Sequence, residues 1–123
     1  MDKSDAMQPI PTVLTGSNYR LWVQGMRSFL KGRKLWRYIT GDIRPPTRQT
    51  DETDIQFADR LEDWDSKNHQ ILTWFRNTSI SAIHHQFGRY ESAKEVWDLL
   101  ELRYTTSDLS SQYQLWEELH NLK

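Results

Sequence analysis

The chain has 123 residues, with six Trp, no Cys and a net charge of −1. This length suits one domain with a single core, to which large aromatic side chains contribute. The absence of Cys excludes disulfide bonds, thiol nucleophiles and thiolate zinc sites. No apolar run approaches the roughly 20 residues that cross a bilayer, and the N-terminus lacks a signal-peptide pattern. We therefore expect a cytoplasmic protein without a membrane partner.

The charge is divided unevenly along the chain. Residues 1–50 carry nine Lys and Arg against three acids, a balance of +6, whereas residues 51–123 carry seven against fourteen, a balance of −7. Three interpretations are open. The opposite charges neutralise each other within one molecule, the basic surface pairs with the acidic surface of a neighbour, or the basic surface binds a polyanion. Pairing within the molecule is the simplest of these three interpretations.

The first 13 residues show little hydrophobic periodicity and contain two prolines, Pro9 and Pro11. Proline lacks the backbone N–H that regular structure uses, so we predict a flexible lead-in over residues 1–13. A single helical domain is predicted over residues 14–123. No Gly or Pro ends the last helical pattern before Lys123, which indicates a helix truncated by the end of the chain.

A first helix is predicted over residues 18–31, where apolar side chains recur every three or four positions. Gly16 favours a turn before it, and Ser17 or Asn18 is predicted to cap its first turn with a side-chain oxygen. Gly32 is predicted to end it. The apolar face consists of Tyr19, Trp22, Val23, Met26, Phe29 and Leu30.

A short second helix, with Leu35, Trp36 and Ile39, is predicted to stop at Gly41 before a proline-containing loop over residues 42–50. Acids at positions 51, 52 and 54 then favour the start of a long third helix, because carboxylates interact favourably with its N-terminal dipole. Its inward side chains are Phe57, Leu61, Trp64, Asn68, Ile71 and Phe75, with Leu72 and Trp74 widening the face.

Asn68 interrupts this apolar stripe. A polar residue at such a position sometimes fixes the register between partner helices, but more often it bonds locally or lies at the edge of a groove. We base no further inference on it.

Three further helices are predicted. Ile80, Ile83 and Phe87 indicate a short fourth helix ended by Gly88. A capping box over residues 92–95 begins the fifth, whose apolar stripe is Ala93, Val96, Trp97, Leu100 and Tyr104. Asp108 is predicted to cap a separate sixth helix carrying Leu115, Trp116, Leu119 and Leu122.

These patterns predict an all-α fold, a compact irregular bundle of about five to six helices, because no strand pattern or internal repeat competes with them. Truncation of a buried Trp to Ala, at Trp22, Trp64 or Trp97, is expected to cost about 3–5 kcal/mol. The residues predicted to form the structural core are Tyr19, Trp22, Met26, Phe29, Leu61, Trp64, Ile71, Phe75, Val96, Trp97, Leu100 and Tyr104.

No catalytic constellation is recognisable in the sequence. His84 and His85 are adjacent and diverge on a helix, whereas two metal ligands on one face need a spacing of three or four. Glu62, Asp63 and Asp65 fan outward and are typical of a solvated face. Nucleophile-elbow, phosphate-loop and dinucleotide motifs do not occur. We predict no enzymatic activity, cofactor, metal site or small-molecule substrate.

Basic residues interleave with aromatic residues between positions 20 and 38, a composition that suits phosphate neutralisation and base stacking. At helical spacing the aromatic side chains are needed for the core, which leaves a basic surface with weak, salt-sensitive RNA contact. The residues assigned to this interface or RNA-contact surface are Arg27, Lys31, Arg33, Lys34 and Arg37.

Three blocks of residues together resemble the N-terminal part of Gag from copia-type long-terminal-repeat retrotransposons, especially the plant lineages. The first contains Leu14, Gly16, Asn18, Tyr19, Trp22, Met26, Phe29, Leu30, Leu35, Tyr38, Ile39 and Gly41. The second contains Trp64, Asp65, Ile71, Trp74, Ser79 and Ile80. The third contains Ala93, Val96, Trp97, Leu99, Leu100, Tyr104, Leu115, Leu119 and Leu122. The resemblance covers most of the chain and rests on core and cap residues.

The resemblance implies the N-terminal capsid domain of a Gag polyprotein, which self-assembles into a virus-like particle and packages element RNA. The expected partner is then a second copy of the chain. Family members carry a Cys/His zinc knuckle farther along, so RNA binding is expected mainly in a downstream region. Two alternatives stay open: a domesticated Gag-like host adaptor, and an RNA-binding domain in its own right.

An electrostatic contact between copies is one hypothesis for assembly. The basic residues between positions 27 and 37 would meet acidic residues of a neighbouring copy. The candidate acidic residues are Glu62, Asp63, Glu117 and Glu118.

Overall fold

The computed structural model describes residues 8–121, except for the side chains at positions 107–115, 118, 120 and 121. Within that range the chain forms five α-helices and a 3₁₀ helix, and no strand. The α-helices are α1 (Tyr19–Gly32), α2 (Trp36–Thr40), α3 (Asp54–Asn77), α4 (Ser81–His84) and α5 (Ala93–Asn121). The 3₁₀ helix, His85–Arg89, follows α4 directly. The predicted all-α fold class is confirmed.

The segment before α1 is fixed to the core by backbone hydrogen bonds. The Leu14 N–H donates to the Thr78 carbonyl (2.7 Å), and the Ile80 N–H donates to the Leu14 carbonyl (3.1 Å). The Trp22 indole N–H donates to the Thr78 hydroxyl at 3.0 Å. Ile10 is already part of the core, with 7% of its surface exposed. The packed domain therefore begins before residue 14, and residues 1–7 of the predicted lead-in lie outside the described range.

The two ends of α1 differ from the prediction. Gly16 adopts a φ of +104°, as the predicted turn requires. However, Asn18 makes no side-chain hydrogen bond to the first turn of α1. Its amide instead donates to the Val13 carbonyl (2.8 Å) and accepts from the Thr15 N–H (2.9 Å). The predicted side-chain cap by Asn18 is wrong, because this amide holds the preceding loop. At the other end Gly32 was predicted to end the helix, but the residue with a left-handed backbone conformation is Lys34 (φ 63°).

Helix α2 and the start of helix α3 lie close to the predicted positions. Gly41 takes a left-handed conformation after α2, as predicted. Helix α3 begins at Asp54 behind a capping box, in which Thr53 and Gln56 each satisfy a backbone N–H of the other residue. The sequence analysis assigned this start to the acidic residues and missed the capping box.

An aromatic cluster joins α1, α2, α3 and α5. The Trp97 ring centroid lies 5.6 Å from that of Trp22 and 5.8 Å from that of Phe75. Trp36 meets Trp97 edge-on at 5.2 Å, and Trp22 meets Phe75 at 5.5 Å. Edge-to-face aromatic pairs add to the burial of large apolar surfaces, so this cluster is the centre of the core.

The predicted core residues fall into three groups. Eight are buried: Tyr19, Trp22, Met26, Ile71, Phe75, Val96, Trp97 and Leu100. Three are partly buried against the core: Phe29, Trp64 and Tyr104. The prediction for Leu61 is wrong, because 39% of its surface is exposed. The buried residues of α3 lie between Asn68 and Phe75, so the core covers the C-terminal half of this helix and leaves Leu61 outside.

The last part of the chain forms one helix where two were predicted. Helix α5 runs for 29 residues from Ala93 to Asn121. The predicted break at Asp108 is wrong, because no Gly or Pro interrupts the segment and every residue in it can adopt helical angles. At its start the Ser92 hydroxyl accepts from the Glu95 N–H (3.1 Å) and donates to the Glu95 carboxylate (2.9 Å).

The predicted fourth helix is shorter than the pattern suggested. Ile83 and Phe87 are buried, as the apolar spacing indicates, but Ile80 precedes α4 and is 40% exposed. Gly88 lies inside the 3₁₀ helix and does not end α4.

Candidate functional site

The basic surface predicted from the sequence, Arg27, Lys31, Arg33, Lys34 and Arg37, lies on α1, on the turn after it and on α2. Arg27 and Lys31 are exposed and four residues apart, so they project from one face of α1. Lys34 and Arg37 are also exposed, whereas Arg33 is half-buried. Helix α1 contains no acidic residue, so all of its own charged side chains are positive.

Arg33 contributes mainly to the fold. Its guanidinium carbon lies 4.8 Å from the Phe29 ring centroid and 5.5 Å from that of Trp74. The two rings meet edge-on at 4.8 Å, and the guanidinium covers the pair. Cation–π contacts of this kind are worth up to about 2 kcal/mol when desolvated. A substitution of Arg33 therefore changes stability as well as surface charge.

Two other cations of the basic surface have weaker contacts within the chain. The Lys31 ammonium lies 5.8 Å from the Trp36 ring centroid. The Arg37 guanidinium lies 3.9 Å from the Asp42 carboxylate, and both side chains are largely exposed. Exposed ion pairs contribute little to stability. Arg27 and Lys34 are therefore the best positions at which to change the surface charge alone.

A groove beside α1 has a volume of about 550 Å³. We call it the α1 groove, and it is lined by Tyr19, Arg20, Leu21, Val23, Gln24 and Arg27. Leu21 is 59% exposed although it is a large apolar residue. Arg20, Gln24 and Arg27 lie in one row along the helix, and Leu21 and Val23 flank this row on opposite sides. Burial raises the pKa of the Tyr19 phenol to about 12, and the nearby Glu101 carboxylate contributes to the rise.

A second groove, of about 470 Å³, lies between α2, the following loop and α3. Its lining residues are Tyr38, Ile43, Arg44, Pro46, Asp59, Arg60, Asp63 and Trp64. The Tyr38 and Trp64 rings stack with centroids 6.5 Å apart. Among the described residues, no acceptor faces the buried indole N–H of Trp64. Burial raises the pKa of the Tyr38 phenol.

The loop between α2 and α3 is held by a bidentate ion pair. The Arg60 guanidinium donates to the two Glu52 carboxylate oxygens at 2.5 and 2.8 Å and to the Thr47 carbonyl at 3.0 Å. The Gln49 N–H also donates to this carboxylate, at 3.1 Å. The hydrogen bonds from Arg60 and then Gln49 lower the pKa of Glu52 to about 2. Glu52 is therefore structural.

Asn68 holds the start of α5 and is 1% exposed. Its amide donates to the Glu91 carbonyl (2.7 Å) and accepts from the Ala93 N–H (2.7 Å). The Ala93 N–H is among the first donors of α5, which lack partners inside that helix. Asn68 therefore bonds to a distant segment, and the interpretation of local bonding is wrong. Sequence reasoning missed this role because its partners are 23 and 25 residues away.

The four acidic residues proposed to contact the basic surface of a neighbouring copy differ in exposure and in ion pairing. Glu62 and Glu117 are exposed. Asp63 forms an ion pair with Lys67 at 3.2 Å. The side chain of Glu118 lies outside the described residues. Glu62 and Glu117 are thus the two whose contribution to a contact is most readily tested.

Helix α5 exposes apolar side chains beyond its buried part. Leu102 is 80% exposed, Trp116 59% and Leu119 60%. Large apolar side chains exposed along one helix are typical of a protein interaction site. The prediction that Leu115 and Leu122 belong to this segment's apolar face concerns side chains outside the described part.

Within the described part of the chain, no group of three or more His, Cys, Asp or Glu residues is arranged to hold a metal ion. Across the same residues, no helix combines the length and the apolar character that membrane crossing requires. Among the described residues, the surface features considered as interaction sites are the basic surface, the grooves beside α1 and between α2 and α3, and the exposed residues of α5.

A comparison with protein families finds a similarity for the N-terminal region. Residues 2–47 match the family model described as Gag-polypeptide of LTR copia-type. The match contains α1, α2 and the whole basic surface. Comparisons with curated proteins and with solved structures gave no match.

Proposed function

We propose, from the premise that residues 2–47 are a copia-type Gag region, that this chain is a structural capsid domain. It self-associates to build a virus-like particle that packages element RNA. The family match is the observation that carries this proposal. In this role the chain is not an enzyme, needs no cofactor and acts in the cytoplasm.

The surface of the chain supports self-association. A capsid subunit needs modest contacts that repeat, because many weak interfaces act together in a closed assembly. The chain has a helix with only positive charge, α1, and a helix with exposed apolar residues, α5. Oppositely charged surfaces of two copies steer association and fix its geometry.

Sedimentation velocity of two charge-reversal variants tests the contribution of the basic surface. Arg27→Glu with Lys34→Glu reverses two exposed cations that hold no aromatic ring of the core. The matched control is Arg76→Glu with Arg89→Glu, two exposed cations outside the basic surface. We expect the first pair to weaken self-association by roughly tenfold and the control to change it little. Equal effects of the two pairs would show that the basic surface is not the contact.

Direct RNA binding is the second candidate, and the unbroken positive charge of α1 favours it. The aromatic side chains nearby are used mainly by the core, because Trp22 is fully buried, Tyr38 is 8% exposed, and Phe29 and Trp36 are partly buried. RNA would then contact the chain through phosphates, with affinity falling steeply as salt rises. Filter binding of an unstructured RNA at several salt concentrations tests this. An affinity that does not change with salt would exclude phosphate contact. In the proposed capsid role, most RNA binding by Gag is expected outside this domain.

A further inference from the structure

The first half of α3 extends from the core as an exposed, acidic helix. Residues 54–66 contain five acids and one Arg. Ile55 is 74% exposed, and Ala58, Glu62 and Asp65 are exposed as well. These four residues are three or four positions apart, so they form one row along the helix. The row carries an aliphatic side chain at the start of α3 and two carboxylates about two and three turns later.

Helix α1 has an exposed row with the same order of residue types and the opposite charge. Leu21 is 59% exposed near the start of α1. Gln24, Ser28 and Lys31 follow it at spacings of three and four residues, and all three are exposed. Arg27 is exposed beside this row, four residues before Lys31. Both helices therefore place an aliphatic side chain first and charged side chains about two or three turns later, negative on α3 and positive on α1.

The two rows do not meet within one chain, because both are exposed. Phe29 of α1 meets Trp74 with ring centroids 4.8 Å apart, and Trp22 meets Phe75 at 5.5 Å. Helix α1 therefore contacts the C-terminal half of α3. Glu62 precedes Trp74 by 12 residues, about 18 Å along the helix axis at 1.5 Å per residue. A contact between the two rows thus requires a second copy of the chain.

We propose that the first half of α3 of one copy packs along α1 of a second copy, with the two helices parallel. The inference rests on the proposed function and specifies which surfaces meet. In this arrangement Ile55 contacts Leu21, and Glu62 lies beside Arg27 and Lys31 of the second copy. An antiparallel arrangement is disfavoured, because it sets Ile55 against the cations and Glu62 against Leu21.

The contact joins two different surfaces, so every copy carries both of them. Pairing of identical surfaces is disfavoured, because it brings together two acidic α3 segments or two basic rows of α1. Contacts between different surfaces continue from copy to copy and close when the rotation between copies permits. Each helix contributes about three turns to the contact, which suits a weak interaction that many copies repeat.

Removal of the aliphatic side chain at the start of α3 tests the apolar part of the contact. Ile55→Ser and the control Leu102→Ser each change a largely exposed aliphatic residue, at 74% and 80% exposure. We expect Ile55→Ser to weaken self-association by roughly three- to tenfold in sedimentation velocity, and Leu102→Ser to change it little. Equal effects of the two variants would contradict the proposed contact.

Charge exchange tests the polar part. Glu62→Arg is expected to weaken self-association by about three- to tenfold in light scattering, because it faces the cations of the second copy. Arg27→Glu in the same chain is expected to restore most of the loss. Glu117→Arg, at an exposed acid of α5, is the control and is expected to have little effect. The proposed contact is wrong if Glu62→Arg and Glu117→Arg act equally or if Arg27→Glu restores nothing.

Disulfide trapping tests the register, because the natural chain contains no Cys. With Ile55 opposite Leu21, Ala58 lies opposite Gln24. A Gln24→Cys chain is mixed with an Ala58→Cys chain and oxidised gently. The matched control replaces the second chain with Asn77→Cys, an exposed position in the other half of α3. We expect several times more mixed dimer from the first mixture. Equal yields would overturn the proposal, and circular dichroism checks that each variant is folded.

The two proposals fail in different ways. If the natural chain self-associates but the trapping yield equals the control, the capsid role stands and this contact is wrong. If trapping is selective but no mass increase occurs at any concentration, the contact is supported and the capsid role loses its basis. If neither occurs, both proposals are wrong.

Discussion

The two parts of α5 are built from similar residues but have different environments. Trp97 packs against Trp22, Trp36 and Phe75, whereas Trp116 is 59% exposed on the same uninterrupted helix. Helix formation is therefore not what separates them. The first part is covered by α1 and α3, and the second extends past α1. A shared pattern of apolar residues thus serves the core in one part and an outer surface in the other.

Helix α3 shows the same division in reverse order. Its buried residues lie between Asn68 and Phe75, and Ile55 and Leu61 near its start are 74% and 39% exposed. The exposed part is tied to the preceding loop by the pair of Arg60 and Glu52. The two long helices therefore each have a part packed in the core and a part that extends from it.

The largest expected difference is between the two tryptophans of α5. Trp97→Ala removes the centre of the aromatic cluster and is expected to lower the free energy of unfolding by about 3–5 kcal/mol. Trp116→Ala changes an exposed position and is expected to alter it by about 0.5 kcal/mol or less. Urea unfolding of both variants gives the two values. Similar losses would mean that the second part of α5 is packed in the fold of one chain.

A smaller contrast is expected within α3. Ile71 is fully buried, so Ile71→Ala is expected to cost about 2–5 kcal/mol, whereas Leu61→Ala at a partly exposed site is expected to cost about 1 kcal/mol or less. Thermal unfolding of the two variants measures the difference. A larger loss at Leu61 would contradict the limit of the core drawn at Asn68.

Asn68→Ala tests the link between the two long helices. It leaves the Glu91 carbonyl and the Ala93 N–H without the side chain that satisfies them. An unsatisfied buried polar group costs about 1–3 kcal/mol, and a loss in that range is expected. Asn77→Ala, at the exposed end of α3, is the control and is expected to change stability little. Equal losses of stability in the two variants would show that the Asn68 side chain does not stabilise the start of α5.

The smallest effect concerns the ion pair that ties the loop to α3. The pKa of Glu52 is lowered from 4.5 to about 2, so its charged form stabilises the fold above pH 4.5. This contribution is expected to decline as the pH falls from about 4.5 to 2. Urea unfolding at several pH values should show a smaller pH dependence over this range for Glu52→Gln. An identical dependence in the two proteins would rule out the pair as its source.

The sequence predicted those features that depend on neighbouring residues. The spacing of Tyr19, Trp22 and Met26 identified the buried face of α1, and Gly41 marked the end of α2. The Thr53 to Gln56 capping box was also visible in the sequence, but the sequence analysis assigned the start of α3 to the neighbouring acidic residues instead.

Features that depend on distant residues could not be predicted in this way. The role of Asn68 depends on two backbone groups in another segment, and that of Arg33 depends on Trp74. The exposure of Leu61 follows from where the core ends, which periodicity does not define. The basic surface was predicted as five equivalent residues, and the structure separates Arg33 from the others by its aromatic contacts.

The solution molar mass of the natural chain, measured by light scattering over a wide concentration range, tests the central claim most directly. A self-associating subunit with charged contacts should show a mass that rises with concentration and falls when salt is raised from low to moderate levels. A mass that stays at one chain under every condition would contradict the account. It would favour the alternative of a Gag-like adaptor that binds a different protein.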